Sequence, residues 1–145
     1  MLERSQSPIS RTLTLEECWS LLAPSGVGRV VVTVDGLPRT IPLNYSVAGD
    51  VVYFRTAPES ALNSVSSQKV AFEADTIDPE TRSGWSVCVV GSGSSARDGG
   101  PDVDSWAPGR RDVRFRIVPD ELTAGGSSVA NRGSAPHHRA QAFAG

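Results

Sequence analysis

The chain has 145 residues, 14 basic and 16 acidic side chains, a net charge of −2 and 39% hydrophobic residues. That size predicts one domain with short tails, and the apolar content excludes disorder throughout. The longest apolar runs, such as Val30–Val32 and Val87–Val90, fall far short of the ~20 residues of a membrane span.

A pI near 5.6 with scattered arginines leaves no basic excess for a nucleic-acid backbone. The N-terminus, MLERSQSPIS, lacks the apolar centre of a secretory signal, so a cytoplasmic protein is expected. Residues 1–11 are polar and aperiodic and read as a flexible arm. Thr14 with Glu17 has the capping-box spacing, and Leu15, Cys18, Trp19 and Leu22 follow on one helical face. Ala23-Pro24-Ser25-Gly26 ends that helix. Val27–Val34 is a β-branched run, Asp35-Gly36 a hairpin turn, and Arg39–Val47 returns with Ile41, Leu43, Tyr45 and Val47 on one face. Pro38 and Pro42 make this second strand an edge or a bulged strand.

Ala48-Gly49-Asp50 turns the chain into Val51–Thr56. Pro58 then opens a weak, serine-rich helix over Glu59–Ser67. Val70, Phe72 and Ala74 alternate with Ala71, Glu73 and Asp75 as a fourth strand. Trp85–Val90, apolar on both faces, is a fifth. Asp112–Val118, with Val113, Phe115 and Ile117 opposite Arg114 and Arg116, is a sixth. The Gly91–Gly109 stretch between the last two is long enough to be either functional or a missed strand. From residue 123 to 145 little can be buried, and a disordered tail is expected. The prediction is a mainly β domain over residues 12–122: six antiparallel strands, or slightly more, closed into a small barrel with two short helices.

Most candidate chemistry has a plain structural reading. Gly91-Ser92-Gly93-Ser94-Ser95-Ala96 matches a dinucleotide-binding pattern, but Arg97-Asp98-Gly99-Gly100-Pro101 cannot continue the helix that pattern needs, so a flexible loop or strand end is expected. Glu73 and Asp75 read as a solvated strand face. His137 and His138 lie in the tail, too far from any anchored partner for a triad or a metal site. Asp98, Asp102 and Asp104 lack calcium-loop spacing. Cys18 and Cys88 sit in apolar patterns and read as buried free thiols. The turn Phe54-Arg55-Thr56-Ala57-Pro58-Glu59-Ser60 allows two readings. One is a phosphate site made by Arg55, the hydroxyls of Thr56 and Ser60 and the N–H groups of a helix start. The other is an ordinary helix cap.

Five blocks occur in order: Gly28-Arg29-Val30, Ile41-Pro42-Leu43-Asn44-Tyr45, Phe54-Arg55-Thr56-Ala57-Pro58, Val70-Ala71-Phe72-Glu73-Ala74-Asp75 and Gly84-Trp85-Ser86-Val87. Together they resemble the pyridoxamine 5′-phosphate oxidase-related flavin-binding proteins, the split β-barrel group that includes flavin and deazaflavin oxidoreductases, over about residues 13–120. The resemblance implies a split-barrel homodimer with FMN at the subunit interface, carrying hydride or electrons for a small-molecule substrate, with no catalytic acid, base or metal from the protein. It implies that Arg55, Thr56 and Ser60 hold the flavin phosphate, that Pro42, Leu43, Asn44 and Tyr45 run beside the ring, and that Trp85 and Ser86 complete the pocket.

The chain departs from the group's pattern at Glu59-Ser60-Ala61-Leu62, where Gly-Ser-Lys-Leu is common. Ala61 removes a phosphate-neutralising Lys and Glu59 adds a negative charge. The frequent Thr-Gly-Arg-Arg ending is replaced by Leu122-Thr123-Ala124-Gly125-Gly126. The alternatives are therefore a non-catalytic flavin, deazaflavin or haem module, or a cofactor-free dimeric barrel. For deazaflavin, Arg29, Arg39 and Arg82 are the candidate partners of its acidic tail.

Overall fold

The computed structural model describes residues 9–11, 13–24, 26–57, 68–96, 99–106, 109 and 113–128. Its elements in chain order are β1 (Ile9–Arg11), α1 (Leu15–Leu22), β2 (Gly26–Val34), β3 (Leu37–Ala48), β4 (Val51–Thr56), β5 (Lys69–Asp78), β6 (Ser83–Ser95) and β7 (Val113–Ser128). The helix expected over Glu59–Ser67 lies outside the described residues, as do residues 1–8 and 129–145.

Local chemistry explains the first elements. The Thr14 hydroxyl accepts from the Glu17 amide at 3.0 Å and the Glu17 carboxylate accepts from the Thr14 amide at 2.8 Å, so the capping box closes in both directions. Asp35 and Gly36 both take positive φ (52° and 78°), the twist that suits a two-residue hairpin between Val34 and Leu37. Gly49 and Asp50 repeat the device between β3 and β4 (56° and 57°).

The strands pair antiparallel in the order β1-β7-β4-β3-β2-β5-β6, and β6 pairs again with β7. That last pairing closes β2–β7 into a six-stranded barrel, as expected, with β1 added at the edge of β7. Pro38 and Pro42 lie in the part of β3 that pairs with β2 alone, whereas β4 reaches only Tyr45–Ala48. The two prolines are four residues apart, so both ring nitrogens face the same, unpaired side and no ladder bond is lost.

Pairing extends past the boundaries expected at 11/12 and 122/123: Ile9–Arg11 pairs with Gly126–Ser128, and β7 runs on to Ser128. β6 likewise runs on to Ser95, so the Gly-Ser pattern is strand and not loop. A Cβ on Gly93 would stand 2.7 Å from the Phe115 ring, and one on Gly91 would meet the Val118 carbonyl. Those glycines serve close strand packing, and the dinucleotide reading is closed.

The interior follows the alternation read from the sequence. Val30 and Val32, Val52 and Phe54, Val70, Phe72 and Ala74, Val87 and Val89, and Phe115 and Ile117 all point inward and are buried. Cys18 and Leu22 from α1 complete this core, with Tyr45 edge-on to Phe72 at 4.9 Å. The Tyr45 hydroxyl donates to the Pro24 carbonyl at 3.5 Å, tying the end of α1 to β3. Phe72→Ala should lower stability by about 3–5 kcal/mol and Thr14→Ala by about 1 kcal/mol in urea unfolding. A loss below 1 kcal/mol for Phe72→Ala would contradict this core.

Candidate functional site

Alternation sorts the expected site residues between two faces. On β4 the burial pattern puts Val52, Phe54 and Thr56 inside and Tyr53 and Arg55 outside. Thr56 is buried, and its hydroxyl donates to the Ala57 carbonyl at 2.9 Å. Arg55 lies half-buried on the outer face and donates to the Val103 carbonyl at 3.4 Å. Thr56 and Arg55 therefore do not converge through their side chains at this strand end. Ser60, the third expected phosphate ligand, lies outside the described residues with Glu59 and Ala61.

The same division runs through β3. Leu43 and Tyr45 pack into the core, whereas Pro42 is exposed and Asn44 half-buried on the other side. Asn44 is bonded at both ends: its amide donates to the Gly26 carbonyl at 3.4 Å and its oxygen accepts from the Trp106 amide at 2.8 Å. Trp85 packs against the core from β6, and Ser86 faces outward opposite Asp75 and Gly125. Asn44 and Arg55 are thus brought together, under residues 99–106. Ser86 pairs with Gly125, well along β7 from the Arg114 that faces Arg55.

Two residues absent from the expected set join Asn44 and Arg55. Ser46, buried on the outer side of β3, donates to the Asp102 carbonyl at 3.1 Å. Arg114 on β7 stands directly opposite Arg55 in the ladder, and Arg116 opposite Tyr53. Like charges facing each other across strands destabilise a sheet by up to about 1 kcal/mol unless something negative lies between them. The Asp102 carboxylate reaches Arg114 at 3.1 Å, but it is fully exposed and contributes little. The alternation of Arg114 and Arg116 was visible in the sequence; their neighbour across the ladder was not.

A second charged group lies on the outer face of β2 and β5. Arg29 reaches Glu73 at 3.3 Å and Asp75 at 3.7 Å, so it is committed to carboxylates. The expected solvated face is half-buried instead. Burial first, and the adjacent Asp75 second, push the Glu73 carboxyl up to about 7 against the opposing pull of Arg29. Cys88, opposite Glu73 on β6, is only half-buried, contrary to expectation; its thiol is raised by burial and then by Glu73. Cys18 is fully buried, and burial pushes its thiol up to about 11. Neither cysteine presents a thiolate near neutral pH. Among the described residues, no three His, Cys, Asp or Glu side chains gather as a metal site.

The structure is a closed antiparallel barrel with an arginine pair in cross-strand register on its outer face, and comparison with known proteins supplies the family. The pyridoxamine 5′-phosphate oxidase family profile matches residues 14–125, and the chain belongs to that family. The FAD binding protein from Mycobacterium smegmatis has 34% identity to it and a TM-score of 0.68, over 81% of this chain and 98% of that one. A Corynebacterium glutamicum structure, provisionally assigned as a pyridoxamine 5′-phosphate oxidase, superposes with a TM-score of 0.72 at 27% identity, over 87% and 98% of the two chains. The uncharacterized protein Rv0080 of Mycobacterium tuberculosis is 38% identical over 92 residues, 59% of this chain and 60% of that relative's length. The split-barrel architecture is thereby established.

The raised Glu73 carboxyl has a consequence for stability. Between pH ~4.5 and ~7 the folded chain binds a proton that the unfolded chain has released, so stability falls as pH rises through that window. After allowance for solvent screening the effect is roughly 1 kcal/mol. Urea unfolding at pH 5 and pH 8 should show this component in the wild type and not in Glu73→Gln; parallel pH dependences would remove it.

Proposed function

We propose that the chain binds a flavin, FMN in particular, through its 5′-phosphate at the outer face of β4 and β7, and serves as a flavin-dependent oxidoreductase. The single observation that carries this reading is the Arg55–Arg114 pair: two guanidiniums in cross-strand register, with a neutral hydrogen-bonding surface from Asn44 and Ser46 beside them. A planar guanidinium carries five N–H donors in a fork that matches the oxygens of a phosphate. The donor set fits a phosphate monoester. The likeness to an FAD binding protein at 34% identity supports a flavin as the owner of that phosphate.

A bound flavin would supply the hydride or electron chemistry; the residues of this chain bind and orient it. Neither cysteine offers a thiolate near neutral pH. The reading extends to a homodimer. Ser86, Cys88 and Val90 face outward from β6 yet are half-buried, flanked by Ala71 on β5 and Val31 on β2, a surface suited to a second copy. Trp85 and Ser86 would then serve the partner's flavin and not their own.

A second reading, a flavin module without turnover or a barrel without cofactor, is favoured by the sequence Glu59-Ser60-Ala61, which carries a carboxylate and no Lys where the resemblance expects Gly-Ser-Lys.

Titration with FMN, FAD and a deazaflavin, followed by visible absorbance and fluorescence, separates these readings. Micromolar binding with FMN preferred, and turnover with a nicotinamide reductant, is expected; binding without turnover supports the module, and no binding supports the empty barrel. Arg55→Ala and Arg114→Ala should each weaken FMN binding by about 1.5–3 kcal/mol, some ten- to hundredfold, with the fold intact. Unchanged affinity in both would move the anion elsewhere.

A further inference from the structure

Residues 99–106 leave the barrel after β6 and lie back across the outer face of β3 and β4. They are held at successive points. Gly100, at φ 103°, lies against Tyr53, where a Cβ would stand 2.6 Å from the ring. The Asp102 carbonyl accepts from Ser46 at 3.1 Å and the Val103 carbonyl from Arg55 at 3.4 Å; the Val103 side chain is buried. The last point is the Trp106 amide on Asn44 at 2.8 Å. A segment fixed this way normally turns its large apolar side chain inward, because burying an indole is worth several kcal/mol. Here the Trp106 side chain is 69% exposed while its backbone is pinned.

We propose that residues 99–106 are a latched strap, and that Asn44 is a positioning residue whose contact with the Trp106 amide holds the indole at the rim of the flavin site as a stacking platform for the ligand's planar ring. The inference rests on the reading of this face as a flavin site. It also changes the part played by Asn44. With its oxygen on Trp106 and its amide on Gly26, Asn44 bridges β2 to the strap and acts on the ligand through Trp106. Arg55 joins the two halves of the site, since the residue proposed to meet the anion also holds the Val103 carbonyl of the strap.

Two measurements test this separately. Hydrogen exchange of the Trp106 amide in the ligand-free protein reads the latch alone. Asn44→Ala should speed that exchange roughly tenfold, and Asn44→Asp, which keeps the acceptor, should leave it slow. Equal rates in wild type and Asn44→Ala overturn the latch. FMN titration reads the platform. Trp106→Ala should cost about tenfold in affinity, Trp106→Phe far less, and Asn44→Ala about as much as Trp106→Ala. The double variant should be no worse than either single one, because both remove one platform.

Additive losses would make Asn44 a direct ligand contact and overturn its positioning role. Unchanged affinity in Trp106→Ala, with Arg55→Ala impaired, would overturn the platform and leave the flavin site standing. A wild-type chain that binds no flavin would overturn the function proposed above and the platform with it, while the exchange experiment still decides the latch. Should Asn44→Ala fail to fold, Ser46→Ala and Gly100→Ala loosen the same strap from its other anchors, and faster Trp106 exchange is expected in both.

Discussion

The pairing of β6 with β7, from Gly84↔Ser127 to Ser95↔Phe115, is the constraint on which the rest of the structure depends. Without it the strands would form an open row with two long edges. With it the sheet has an inside and an outside, and the period of two assigns every residue to one or the other. Val87 and Val89 are buried because β7 closes over them, and Cys88 and Val90 face out for the same reason. The edge left on β3, from Leu37 to Asn44, carries Pro38 and Pro42, which deny an incoming strand two of its hydrogen-bond donors.

That constraint also divides the family's sequence blocks. Read as a string, Pro42-Leu43-Asn44-Tyr45 is one motif; on a closed barrel it is two layers. Leu43 and Tyr45 shape the core against Phe72, and Pro42 and Asn44 are what a ligand or the strap can meet. Arg55 and Thr56 divide likewise. A short block can therefore divide between core packing and an outward surface. Assigning all of them to the cofactor counts core residues as ligands.

What was legible in the sequence was whatever depends on neighbours along the chain. The Thr14–Glu17 box, the Asp35-Gly36 hairpin and the alternation of Val70, Phe72 and Ala74 each carry their own signal, and the barrel follows from their order. Features set by distant partners were not legible. Gly125–Ser128 has no periodic side chains, and its strand character comes from β6 on one side and β1 on the other. Gly91–Ser95 reads as loop because its glycines answer to Phe115 and Val118, more than 20 residues away. Glu73 looks solvated beside Asp75, until folding removes the water. Arg114 was visible as an outward residue, but its value lies in facing Arg55, a relation that only the β4–β7 ladder creates.

The net charge of −2 conceals how the outer surface is divided. Around β2 and β5, Arg29 is held by Glu73 and Asp75. Around β4 and β7, Arg55, Arg114 and Arg116 stand in neighbouring positions, and Asp102 of the strap reaches Arg114. Lys69, further along the barrel, is paired with Asp120. On the proposed reading, the guanidiniums of Arg55 and Arg114 would meet a compact headgroup with one or two charges, such as a phosphate monoester. On the proposed reading, a negative net charge and an arginine pair on one face are compatible, because Arg55 and Arg114 stand in cross-strand register beside Asn44, which holds Trp106, whatever the balance of the whole chain.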